Sequence, residues 1–130
     1  IGGARYVDGG AWSFVNADVV VPLGLDVVVV SSTMSATGVA AFASVDAMVR
    51  TAARLRLARS VARLRRAGTQ VVVLEPDAAD VEVMGTLAEA MDASRRPAVA
   101  RHVRASMAER LRRSGAAAVL RGAARGAAER

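Results

Sequence analysis

The chain has no cysteine, no lysine and a single histidine, His102. The first absence excludes disulfides, thiolate nucleophiles and cysteine-based zinc sites. The last excludes any centre that needs two imidazoles. Aromatic residues make up 3% of the sequence, so a core has to be assembled from Val, Leu, Ala and Met. No apolar run reaches the roughly 20 residues of a membrane-spanning helix. The most apolar stretch, VVVPLGLDVVVV, is interrupted by Asp26. What remains is a 130-residue chain, 53% hydrophobic, with the size and composition of one globular domain.

All 18 basic residues are arginine, and the net charge is +6. Residues 1–94 hold 8 Arg and 10 acids, whereas residues 95–130 hold 10 Arg and 2 acids. The positive excess therefore belongs to the C-terminal end. Such an end can hold acidic lipid or nucleic acid. The plain alternative is a solvated helix face whose arginine stems lie along apolar surface.

Hydrophobic patterning divides the chain. GGARYVDGG reads as a short strand bounded by glycines. Asn16 is a good N-cap for a short helix over ADVVVPLG, closed by Pro22 and Gly24. Residues 26–32, DVVVVSS, and 69–76, TQVVVLEP, are apolar runs without polar alternation, as in parallel strands covered on both faces. Between them a helix is expected from about Val39 to Ala67. Its larger apolar residues, Phe42, Val45, Val49, Leu57, Val61 and Leu64, fall on one face, and Arg59, Arg63 and Arg66 on another. Gly68 is a natural stop. A last helix is expected to begin near Ser94, with Pro97 tolerated in its first turn and a stripe of Val99, Val103, Met107 and Leu111. From Ser114 the chain, SGAAAVLRGAARGAAER, reads as an Ala/Gly/Arg-rich tail over residues 114–130, expected to fray. Strand and helix alternate, so the fold class is α/β with a largely parallel sheet.

Asp8 is the candidate for chemistry. Asp-Gly is a common tight-turn pair, in which the carboxylate bonds backbone N–H groups. A hairpin would continue into an alternating partner strand, but AWSFVNAD runs into a helix start. A carboxylate on a glycine turn can also deprotonate a hydroxyl directly.

The stretch RYVDGGAWSFVNADVVVPLGLDVVVVSS resembles the second signature of the patatin-like phospholipase family, in which a strand leads into Asp-Gly-Gly. AGTQVVVLEPDAADVEVMG and MDASRRPAVARHVRASMAERL are similar to the ending of bacterial members. Together these stretches cover most of residues 2–113. The resemblance implies a three-layer α/β/α patatin-like fold, here only the C-terminal half of the sheet and its covering helices. It implies a hydrolase of lipid or carboxylic esters that works through a Ser–Asp dyad. The dyad aspartate falls on Asp8, and Gly9 and Gly10 fall on the motif glycines. In the family the nucleophile lies in Gly-x-Ser-x-Gly and a Gly-rich loop supplies the oxyanion N–H groups. Neither motif occurs in this chain; Ser31, Ser32 and Ser35 lack the flanking glycines. The chain by itself is therefore expected to be inactive. The resemblance implies no cofactor and no metal. The expected partners are a lipid or ester substrate, the missing N-terminal half of the domain and an anionic membrane surface, rather than nucleic acid. The rival reading is a non-catalytic scaffold or binding module whose Arg-rich C-terminal end contacts anionic membrane or nucleic acid.

Other residues have plainer readings. His102, beside the stripe on the last helix, is expected as a histidine at the boundary between the faces of an amphipathic helix rather than in a Ser-His-Asp triad. Glu75, Asp77, Asp80 and Glu82 have the oxygens for a hard cation but no ordered loop pattern, and capping by Asp77 or Asp80 is the expectation. Trp12 and Phe14 either line an acyl-chain pocket or touch a lipid interface, or else pack beneath the loop. Asn16 and Asp18 are expected as a cap and a first-turn acid.

Overall fold

β-branched residues fit a pleated surface, and the two valine runs are the two strands. In a computed structural model, which describes all residues except 1, 2, 4, 6, 7, 9, 11, 12, 41–43, 129 and 130 and the side chains of residues 91 and 127, β1 is Val27–Ser31 and β2 is Gln70–Leu74. They pair in parallel, with Val27 opposite Gln70 and Ser31 opposite Leu74. The ladder is extended at both ends by Gln70 N–H donating to Asp26 O and Ser32 N–H donating to Leu74 O, each at 2.9 Å. Among the described residues the sheet has these two strands. The fold is thus mixed α/β, as expected.

Helix α1, Val45–Arg66, connects the strands. Ser44 starts it, its hydroxyl accepting the Ala47 N–H at 3.1 Å, so the helix begins later than the expected Val39. It ends at Arg66, and Gly68 follows at φ 89, a left-handed turn that glycine adopts without strain. Leu57, Val61 and Leu64 are buried, as the periodicity predicts, and Leu64 is 0% exposed. The earlier part of the stripe differs. Val45 is exposed and Ala47, Arg50 and Ala53 are buried instead. Val45 lies about a third of a turn round from Leu57, so it cannot share the same buried line. Phe42 lies outside the described residues.

The segment Ala17–Leu23 is a 3₁₀ helix rather than an α-helix. Pro22 has no N–H to give and three valines crowd one another, both unfavourable to an α turn. Asn16 stands at its N-cap position with φ 50, and its side chain makes no cap hydrogen bond, contrary to the expected cap. The segment closes the core: Ala17, Val30, Leu57, Val61 and Leu64 form the buried cluster, with Val20, Val28, Val71 and Val73 packed against it. Burial of each large side chain in this cluster contributes about 2 kcal/mol.

Beyond β2, α2 spans Ala78–Met84, α3 Arg96–Arg113 and α4 Ala116–Ala128. Asp77 and Asp80 form a reciprocal capping box at the start of α2. Short 3₁₀ turns at Ala88–Met91 and Ala93–Arg95 lead into α3, which carries Pro97 in its first turn. The expected frayed tail is helical. Alanine and arginine are strong helix formers, and Val119, Leu120 and Ala123 are half-buried.

The two faces of the sheet are unequal. Val28, Val30, Val71 and Val73 belong to the packed core; on the opposite face Val72 is buried but its neighbour Val29 is 49% exposed, so the expected cover on that side is only partial. No residue of α3 is fully buried. Its stripe of Val99, Val103, Met107 and Leu111 is half-buried. Among the described residues no helix is long and apolar enough to cross a membrane.

Candidate functional site

The Asp-Gly-Gly turn comes first. Asp8 is exposed, and its Oδ1 accepts the Gly10 N–H at 2.9 Å, two residues along. Among the described residues this is the hydrogen bond Asp8 makes. The carboxylate thus organises its own turn, as aspartates do before glycines. Arg5 and Asp8 are not in a strand. Tyr6, Val7 and Gly9, which belong to the expected strand and its motif, lie outside the described residues. So does Trp12, whereas Phe14 is 48% exposed.

A second feature lies where ligands of parallel sheets commonly sit, at the carboxyl ends of the strands. There a cavity of about 510 Å³ opens between α3 and the ends of β1 and β2. Leu74, Pro76, Val99, Val103 and Met107 form much of its wall. Ser31, Ser32 and Arg50 also line it. Ser32 and Ser35 are buried and bonded to each other, Oγ to Oγ at 2.9 Å, and the Ser32 oxygen also receives the Ser35 N–H. Both hydroxyls are engaged as structural groups.

Arg50 is the unexpected member. It is 2% exposed, yet it is not ion-paired among the described residues. Nη1 donates to Thr33 O at 3.0 Å, and Nε is buried with no hydrogen-bond partner. Burial lowers its pKa from the usual arginine value, and the Asp46 carboxylate partly offsets this. Asp46 itself accepts the Leu87 N–H at 3.1 Å. Sequence reasoning passed over Arg50. The signal was its position, in steps of three and four with Ala47, Ala53, Leu57 and Leu64, which places it on the buried line of α1.

Nearby, Arg95 and Glu89 form an ion pair, and Arg95 also donates to Val83 O at 3.2 Å. Glu89 accepts the Thr86 N–H and hydroxyl, both at 2.8 Å. The Thr86 bonds, backbone first, and then the Arg95 charge hold its carboxyl below the ordinary range. Gly85 makes room for this pair: at φ 77, an added Cβ would meet Arg95 Nη2 and Glu89 Oε2 at 2.7 Å.

A third feature ties α2 to α3. Asp80 is 0% exposed. Its Oδ2 accepts the Asp77 N–H at 3.1 Å and the Arg110 guanidinium, and its Oδ1 faces His102 Nε2 at 3.2 Å. Arg110 also donates to Glu75 O at 2.9 Å. Burial pushes the Asp80 carboxyl up. The Asp77 N–H, the Ser106 hydroxyl and Arg110 together outweigh that, and its pKa falls below the usual value. His102 is half-buried between the apolar and polar faces of α3, as expected, but its closeness to Asp80 is not readable from spacing. Glu75, Asp77, Asp80 and Glu82 do not converge. Glu75 pairs with Arg54, Asp77 and Asp80 cap α2, and Glu82 is exposed. Among the described residues no group of three or more His, Asp or Glu is placed to hold a metal ion. Asp18, the expected first-turn acid, pairs with Arg63 at 3.0 Å.

The structure does not join these features. Asp8 is on its own turn, the cavity is lined by Arg50 and α3, and Asp80 lies between α2 and α3. No model of a known protein family matches the chain, and neither curated proteins nor solved structures yield a match.

Proposed function

We propose that this chain is part of a serine acyl hydrolase and supplies the aspartate of its Ser–Asp dyad. The observation that supports this reading is Asp8: an exposed carboxylate on an Asp-Gly-Gly turn, oriented by the Gly10 N–H. It is followed by a parallel β1–α1–β2 unit in the order the patatin-like resemblance implies.

The chemistry asks little of Asp8. As a serine Oγ attacks the ester carbonyl carbon, the carboxylate takes the hydroxyl proton. It returns that proton to the departing alcohol, leaving an acyl-serine. It then takes a proton from water as the water attacks the acyl carbon, and passes it to the serine Oγ as the acyl–oxygen bond breaks, which frees the carboxylic acid and restores the serine. The bond from the Gly10 N–H fixes the orientation of the carboxylate. Because this chain has no Gly-x-Ser-x-Gly, the nucleophile and oxyanion N–H groups come from another polypeptide segment. No metal or organic cofactor is invoked, and water is the second substrate.

The test is ester hydrolysis by this chain joined to a Gly-x-Ser-x-Gly segment encoded beside it, with p-nitrophenyl butyrate as substrate. Asp8→Asn should lower kcat by roughly 10²–10⁴-fold, the usual weight of a positioned base, with an unchanged circular dichroism spectrum. Full activity in Asp8→Asn would refute the assignment.

A binding module remains the second reading, because Arg101, Arg104, Arg121 and Arg125 are exposed and, among the described residues, free of ion pairs. It requires that the chain bind anionic vesicles with an affinity that falls steeply with salt, and that neutral vesicles not bind.

A further inference from the structure

We propose that the cavity between α3 and the carboxyl ends of β1 and β2 binds a medium-chain carboxylate, with its head group on Arg50 and its chain along Val99, Val103 and Met107.

The first argument is the unmatched charge. A guanidinium stays protonated at any ordinary pH, and burying it without a direct ion pair is unfavourable; Asp46 acts on Arg50 but is not within ion-pair distance of it. Arg50 is 2% exposed, and among the described residues its Nε has no hydrogen-bond partner. Its Nη1 is engaged by Thr33 O. Nε is closed off from the cavity, but Arg50 lines it, so a carboxylate seated there meets the positive charge of the guanidinium.

The second argument is the field around it. The acids that line the cavity are Glu89 and Asp92. Glu89 is committed to Arg95 and Thr86, and Asp92 to the Ser94 N–H and hydroxyl. Arg96 and Arg104 line the same cavity and, among the described residues, have no carboxylate partner. The cavity therefore carries an uncompensated positive charge.

The third argument is the wall. Val99, Val103 and Met107 follow one another in steps of four, yet all three remain half-buried, beside Leu74 and the buried Pro76. Apolar residues left partly uncovered beside a buried cation suit a ligand with a charged end and an apolar chain. The volume of about 510 Å³ falls within the roughly 300–1,000 Å³ of small-molecule sites.

The experiment is isothermal titration of the 130-residue chain with dodecanoate, dodecanol and acetate, each kept below its aggregation threshold. Dodecanoate should bind with a stoichiometry of one, at least tenfold more tightly than dodecanol, and acetate should not bind measurably. Arg50→Gln should weaken dodecanoate at least tenfold and leave dodecanol unchanged. If Arg50→Gln does not fold, Val103→Trp decides, because it fills the cavity and keeps the charge; it should abolish dodecanoate binding. Absence of dodecanoate binding, equal affinity for dodecanol, or full binding by Val103→Trp would overturn the proposal. The titration contains no catalytic step, so its outcome is separate from that of the ester assay.

Discussion

Helix α1 carries seven arginines in 22 residues and α3 six in 18, and the two are held in place by different forces. On α1, small and branched residues form a continuous line against the sheet, and Ala47, Ala53, Leu57, Val61 and Leu64 are buried. On α3 nothing is fully buried. That helix is fastened through Arg110 to Asp80 and Glu75 O, with His102 lying close to Asp80, while its apolar stripe looks onto a cavity. Periodicity of similar quality thus ends in a packed core in one case and in a polar clamp beside open space in the other. An amphipathic pattern says that a face will be apolar; what covers the face depends on the neighbours.

The comparison can be broken most severely at Leu64. Leu64→Ala removes a side chain with no exposure from the centre of the core and should cost about 3 kcal/mol, read by urea denaturation. The clamp comes next. Asp80→Asn leaves Arg110 and His102 without their carboxylate. Both are about one-third exposed and can turn to water, so the expected loss is about 2 kcal/mol rather than the larger cost of a wholly buried pair. The same carboxylate sets a pH dependence. Its pKa is lowered in the folded protein, so its stabilisation is complete above the unfolded carboxylate value of about 4. It fades as pH falls through the lower folded value. An acid titration of wild type against Asp80→Asn should therefore converge below that range. The smallest effect is expected on the open side: Val103→Ala, in a half-buried position, should cost about 1 kcal/mol or less by the same denaturation.

Much of the framework was legible because it rests on local rules. Unalternated valines gave β1 and β2 within a residue or two, Gly68 marked the end of α1, and Asp77 and Asp80 were readable as caps. The 3₁₀ form of Ala17–Leu23 was not, since the same valines that mark a buried segment resist an α turn beside Pro22. Helix α4 was hidden by low complexity, in which alanine's propensity outweighed two glycines. The Asp80, His102 and Arg110 cluster joins residues that no spacing rule links, and it appears only when α2 and α3 meet. Arg50 was legible in principle. It keeps step with Leu57 and Leu64, but a charge on a buried line is easily assigned to the solvated side. Asp8 was singled out by its motif, and the structure adds the Gly10 bond that orients it.

Amide hydrogen exchange, followed residue by residue in wild type and Asp80→Asn, tests most directly whether α1 and α3 are held by different forces. The amides of Leu57 to Leu64 should exchange slowest, at the rate of global unfolding, and those of Val99 to Met107 faster, by local opening. Asp80→Asn should accelerate the α3 amides beyond the change in global stability and leave α1 tracking that stability alone. Equal protection of both helices, with the substitution shifting them together, would contradict the account.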